Sequence, residues 1–198
     1  MEDTAWVASC QAGDQAACGA LLEKYKERLW RLAYRLSGDA DAAQDIVQET
    51  FFKALKGIQS FRREEPFAPW LLGICSHQAI DYLRQRGRRR EASLDAPAGE
   101  EGDLKFQVAG SGPGPEEAAA AHELAQTVRA AVLSLPPPLR LVIVLRHYED
   151  LSYAEIARVT GLSLAAVKTR IFRGREILAT KLAALHVRGE RGGERDEV

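Results

Sequence analysis

The chain has 198 residues, enough for one sizeable domain or two small ones, and a net charge of −1 that would argue against nucleic acid if it were evenly spread. No apolar run approaches a membrane span or a secretory signal core, so a soluble, cytoplasmic protein without membrane insertion is expected. Cys10, Cys18 and Cys75 have neither an even count nor a CxxC spacing, which argues against a disulfide framework; as free thiols, Cys10 and Cys18 suit redox sensing or, more commonly, burial as structural thiols.

Leu21, Leu22, Tyr25, Leu29, Leu32, Ala33 and Leu36 form a helical stripe that ends at Ser37-Gly38. Asp39 is placed to cap a second helix, whose Ala43, Ile46, Val47, Thr50, Phe51, Ala54 and Leu55 recur at three and four. A charged loop, about Gly57 to Ala68, holds Phe61, Pro66 and Phe67. Pro69 suits a first helical position and predicts a third helix from Trp70 through Leu71, Ile74, Ala79 and Leu83. That helix runs into five arginines between Arg84 and Arg90 and also carries His77 and Tyr82. Basic charge tracks phosphates and aromatic faces receive unstacked bases, although the same residues also suit core and solvated surface. Cys75 and His77 sit two apart on a helix, face different directions and make a poor metal pair.

Residues 92 to about 118 concentrate Pro and Gly with little apolar periodicity and predict a flexible linker. Beyond it, Leu124, Val128, Ala131, Val132 and Leu135 make one helix that stops before Pro136-Pro-Pro138, and a second runs from Leu139 through Val142, Ile143 and Leu145. Ser152 and Glu155 then form a capping box, Gly161 supplies a left-handed stop, and Ser163 caps a further helix. Two short helices about a turn of three to four residues are helix-turn-helix spacing.

On the second helix of that pair, Val167, Ile171, Gly174 and Leu178 share a buried stripe, which leaves Ala165, Thr169, Phe172 and Arg173 facing away with Lys168 and Arg170 on the flanks. Small, hydroxyl and apolar groups approach base edges, while Lys and Arg reach phosphate or guanine. Charge is segregated to match. Leu139 to Arg188 holds nine Lys or Arg against four acids, whereas Asp95 to Glu123 holds seven acids and one Lys. No β-alternating run occurs, so the expected fold is all-α: two small helical domains joined by a flexible acidic linker, with a charged, frayed tail after Leu185.

These residues resemble a known family. Asp39-Ala-Asp-Ala-Ala-Gln-Asp-Ile-Val-Gln-Glu-Thr-Phe-Phe-Lys-Ala-Leu55, Phe67-Ala-Pro-Trp-Leu-Leu-Gly-Ile and Ile80-Asp-Tyr-Leu-Arg84 resemble region 2 of bacterial RNA polymerase sigma factors. Leu135-Pro-Pro-Pro-Leu-Arg-Leu-Val-Ile-Val-Leu-Arg-His-Tyr-Glu-Asp-Leu-Ser-Tyr-Ala-Glu-Ile-Ala resembles region 4. With no region 1.1 or region 3 domain visible, the chain looks like the extracytoplasmic-function (ECF) type.

The resemblance implies region 2 over 1–91, a linker over 92–118, region 4 over 119–186 and a tail over 187–198. It implies polymerase docking by Asp45, Gln48, Glu49 and Phe52 on the clamp helices of the largest subunit, with a further contact to the flap region. It implies -10 recognition by Phe61, Arg62, Phe67, Trp70, His77, Arg84 and Arg88, where a base is flipped from the stack. It implies -35 recognition by Ala165, Lys168, Thr169, Arg170, Phe172 and Arg173. Family members often carry Asn where this chain has His77, which changes the donor and acceptor pattern offered to the -10 strand. The linker resembles the segment that threads toward the active-site cleft. Expected partners are core RNA polymerase, promoter DNA and an anti-sigma factor, with no cofactor, metal or small-molecule substrate.

The competing reading is a helix-turn-helix regulator that binds DNA unaided as a dimer on half-sites one turn apart. An enzyme acting on nucleic acid has little support, since the sequence shows no phosphate-cradling Gly-rich loop, carboxylate or His-Cys metal cluster, or nucleophile-base pairing.

Overall fold

The computed structural model describes residues 2–92 and 115–192, which form eight α-helices and one 3-10 turn and contain no strand. Expectations for the linker between 93 and 114, and for the tail beyond 192, lie outside the described residues.

The N-terminal half begins with a helix that the apolar pattern does not announce, α1 (Glu2–Gln11), because only Val7 and Cys10 are fully buried and Trp6 partly so. A turn through Gly13, left-handed at φ 95°, leads to Asp14. The Asp14 carboxylate accepts from the amides of Ala16 and Ala17 and starts α2 (Gln15–Ser37). Cys10 and Cys18 lie on either side of this turn with Cα atoms 4.9 Å apart and are joined as a disulfide. This corrects the expectation of free thiols: an odd cysteine count argues against a framework of bridges, but a helical hairpin brings one pair together. Cys75 remains a free, buried thiol.

Gly38 ends α2 in the left-handed region and Asp39 caps α3 (Ala40–Gly57) through the Ala42 amide. The predicted stripe is the buried one: Ala43, Ile46, Val47, Thr50 and Ala54 face inward, while Leu55 is exposed. After a 3-10 turn at Ile58–Ser60, α4 (Phe67–Ala92) begins three residues earlier than the Trp70 start expected from Pro69. Pro69 is the third helical residue rather than the first. It is tolerated there because the first four amides of a helix have no intrahelical acceptor.

The C-terminal half comprises α5 (Pro115–Leu133), α6 (Pro137–His147), α7 (Tyr153–Thr160) and α8 (Leu164–Gly192). Thus α5 opens inside the stretch expected to be linker, and α8 continues past the expected end at Leu185. Pro137 and Pro138 occupy the first turn of α6, where no intrahelical donor is lost. Ser152 and Glu155 form the capping box of α7, Gly161 stops it at φ 68°, and the Ser163 hydroxyl accepts from Ala166 at the start of α8.

Gly174 allows α8 to lie close on α6. A Cβ there would stand 2.7 Å from Cγ1 of Ile143, which is itself fully buried. Gly174→Ala is therefore expected to destabilise the protein by about 1–2 kcal/mol. Overpacking of about 1–3 kcal/mol outweighs a helix-propensity gain of about 1 kcal/mol. A denaturant midpoint that rises for this variant would contradict the close crossing.

The two halves share one apolar cluster, and their seam is built largely from arginines. Arg140 of α6 is buried, and its guanidinium donates to the carbonyls of Leu36, Leu133 and Leu135, so one cation serves the C-terminal ends of both α2 and α5. Glu149 has a side chain only 3% exposed and accepts from Arg28 Nε at 2.7 Å, with Arg35 at 3.9 Å. Arg35 also lies over the Tyr148 ring, and Arg129 of α5 over the Tyr34 ring. A second line of contact joins α4 to α7, where the missing side chain of Gly73 admits Val159.

Candidate nucleic-acid interface

Three surfaces carry the residues singled out from the sequence. The first is the front of α8. Val167 and Ile171 are fully buried and Gly174 lies in the same stripe, so Ala165, Lys168, Thr169 and Arg173 are exposed opposite them, with Arg170 half-buried at the flank. Phe172 stands 63% exposed in the middle of this basic face. A lone aromatic held in water among cations suits contact with a base edge or thymine methyl. The Thr169 hydroxyl donates to the Ala165 carbonyl at 3.0 Å, which leaves its oxygen as an acceptor toward a partner.

The second surface is a cleft of about 310 Å3 beside α4, lined by Glu65, Pro66, Pro69, Trp70, Gly73, Ile74 and His77 and closed by Arg158 and Val159 of α7. Trp70, Gly73 and His77 are three and four apart and share one side of the helix. His77 is exposed, and its Nδ1 lies 2.8 Å from the Gly73 carbonyl. Since a carbonyl only accepts, Nδ1 holds a proton in this bond, and Nε2 is the acceptor of the neutral ring. Arg62, Arg84 and Arg88 are exposed.

Of the two readings that the aromatic residues of this loop allow, Phe61 and Phe67 take the core one rather than that of an open platform for an unstacked base. They are 8% and 4% exposed and belong to an aromatic cluster in which Phe61 stands 4.8 Å from Trp70, and Phe67 stands 5.4 Å from Trp70 and 5.6 Å from Tyr25. Their rings support the half-buried Trp70 from behind. Arg158 and Val159 were not anticipated at this cleft, because their approach depends on how the two halves pack and no local pattern encodes it.

The third surface is the outer side of α3. Asp45, Gln48 and Glu49 are exposed, and Phe52 is 53% exposed with the Lys56 ammonium 3.9 Å from its ring centroid. Glu49 pairs at 3.7 Å with Lys53, itself hydrogen-bonded to Gln78 of α4. Among the described residues, no group of three or more His, Cys, Asp or Glu is placed to hold a metal ion, and no helix is long and apolar enough to cross a membrane.

Comparison with known proteins agrees with this layout. Residues 21–89 match the family model of sigma-70 region 2, and residues 125–178 match that of sigma-70 region 4. The chain is 38% identical over 175 residues to the ECF RNA polymerase sigma factor SigW of Bacillus subtilis (strain 168), covering 87% of this chain and 92% of that protein. It is 34% identical over 189 residues to the ECF RNA polymerase sigma-E factor of Escherichia coli (strain K12), covering 93% and 96% respectively. Its fold is similar to that of CnrH, solved in complex with the cytosolic domain of CnrY, with a TM-score of 0.66 and 28% identity over 93% of this chain and 99% of that one.

The chain belongs to the sigma-70 family and is an ECF-type RNA polymerase sigma factor, a transcription initiation factor and not an enzyme. The region 2 match across the N-terminal half sets aside the reading as a polymerase-independent, dimeric helix-turn-helix regulator.

Proposed function

We propose that the work of promoter recognition divides among these three surfaces. The front of α8 reads the -35 element. The cleft at Trp70, Gly73 and His77, flanked by Arg62, Arg84 and Arg88, takes the -10 strand. The outer side of α3 docks on the clamp helices of core RNA polymerase. The observation that carries this reading is the two-sidedness of α8: a capped N-terminus and a buried stripe fix the helix, and the opposite side presents Ala165, Thr169, Phe172 and Arg173 to solvent.

His77 offers an imidazole acceptor where an Asn amide is common in the family, so the -10 preference at that position follows a different hydrogen-bond pattern. The protein acts in the cytoplasm and is held inactive by an anti-sigma factor, a reading supported by the similarity to CnrH bound to a CnrY domain.

Run-off transcription with purified core enzyme on a promoter pool tests the -35 assignment. Arg173→Ala is expected to weaken binding by about 1–3 kcal/mol and relax preference at one -35 position. Lys168→Ala should weaken binding uniformly across sequences and lower the salt slope by about one charge, as loss of a phosphate contact does. Unchanged transcription by both folded variants would remove α8 from the -35 element.

A further inference from the structure

One side chain ties the N-terminal helix to the loop that leads into the cleft. Gln11, the last residue of α1, donates from Nε2 to the carbonyls of Ile58 at 2.7 Å and Phe61 at 2.9 Å. Its Oε1 accepts from Arg63 Nε at 2.6 Å, and its backbone carbonyl accepts from Gln59 Nε2 at 3.2 Å. Each of these contacts falls between residues 58 and 63. Both amide hydrogens of Gln11 are used on loop carbonyls, so the loop path is set by where the end of α1 sits. Phe61 passes that constraint on through its ring contact with Trp70.

The end of α1 is itself fastened by the residue before Gln11. Cys10 is bonded to Cys18 across the Gly13 turn. The other end of the helix is held by the Asp3 carboxylate, which accepts from Lys24 at 2.7 Å and from the Tyr25 hydroxyl at 2.6 Å. The sulfur bridge is thus the one covalent fastening of the Gln11 end of α1, beside the burial of Cys10 and the hydrogen bonds of Gln11, while Asp3 holds the start.

We propose that Cys10 and Cys18 form a reversible redox site that sets how firmly Gln11 holds the -10 loop, an inference that rests on the assignment of the adjoining cleft to the -10 strand. The oxidant is a peroxide. Cys18 is the less buried of the two residues, and its thiolate attacks one oxygen of hydrogen peroxide. An S–O bond forms, the O–O bond breaks, and the departing oxygen leaves as water with the thiol proton. The Cys10 sulfur then displaces the remaining oxygen: the S–S bond forms, the S–O bond breaks, and hydroxide leaves with the Cys10 proton as a second water. Two thiols and one peroxide give one disulfide and two waters. A dithiol reductant reverses the change through a mixed disulfide and ends as a disulfide itself. Cys75 does not compete, since burial pushes its thiol up to about 12.

The experiment uses the full chain in two states, peroxide-treated and dithiol-reduced, with intact mass reporting the loss of two hydrogens. Amide exchange across residues 59–63 is expected to be about two- to tenfold faster in the reduced state, the range that losing one net hydrogen bond produces. With core enzyme, discrimination among bases at the -10 element should fall by a similar factor on reduction, while discrimination at the -35 element stays constant. A general loss of folding would not separate the two elements in this way.

Gln11→Ala should still form the disulfide but show reduced-like exchange in both states, and the Cys10→Ser/Cys18→Ser pair should be indifferent to peroxide. Failure of peroxide to form the bridge, or equal loop exchange in the two states, overturns the inference. Loop exchange that responds while -10 discrimination does not would overturn the -10 assignment and leave the Gln11 clamp standing.

Discussion

Reversing the charge of both Asp45 and Glu49 is expected to abolish binding to core RNA polymerase while helical content and melting temperature stay nearly unchanged. The two carboxylates are exposed and four residues apart on α3, so they present one acidic face. Stability has little stake in them. Asp39 supplies the cap, the buried stripe of α3 lies on the other side, and the half-exposed Glu49–Lys53 pair is worth about 0.3–0.5 kcal/mol. Binding has a large stake, because removing one partner of a close interfacial charge pair costs about 2–5 kcal/mol, and reversal adds repulsion. Co-elution of the double variant with core enzyme at normal affinity would show that this face is solvated surface only.

The second large effect is expected at Arg140, which touches no partner in any of the proposed roles. Arg140→Ala leaves the carbonyls of Leu36, Leu133 and Leu135 without their shared donor in a buried seam, at about 1–3 kcal/mol for each group that water fails to reach. A net loss of about 3 kcal/mol lowers the melting temperature by roughly 6–12 °C in a protein of this size. Arg140→Met, which keeps the apolar stem and removes the donors, should fall nearly as far. If Met restores wild-type stability, packing rather than hydrogen bonding holds the halves together.

Local chemistry was legible in the sequence, and long-range chemistry was not. The caps at Asp39, Ser152 and Ser163 and the stop at Gly161 follow from neighbours within four residues, and each lies where its side chain requires. The stripe of α8 was equally readable because helical periodicity separates Val167 and Ile171 from Arg173. Phe61 and Phe67 resisted the same treatment: an aromatic ring in a charged loop reads alike whether it faces a base or a core. The Cys10–Cys18 bridge was missed because the apolar residues of α1 run together at 5–8 rather than recurring at three and four, and without α1 there is no hairpin to bring the sulfurs together. Arg28, Arg35, Arg129 and Arg140 carry no local signal that sets them apart from other cations in the sequence. Only the approach of Glu149, Tyr34, Tyr148 and the helix ends, most of them about a hundred residues away in sequence, turns them into a seam.

Because α7 lies along the cleft side of α4, a ligand that requires that side bare must first meet molecules whose halves have parted. Its apparent affinity is then the intrinsic affinity scaled by the parted fraction. By reciprocity, a partner that favours the joined form disfavours such a ligand by the same factor, without touching any atom that the ligand contacts. Strengthening or loosening the seam at Gly73, Arg28 or Arg140 would then rescale the parted fraction and leave the exposed side chains of α8 as they are.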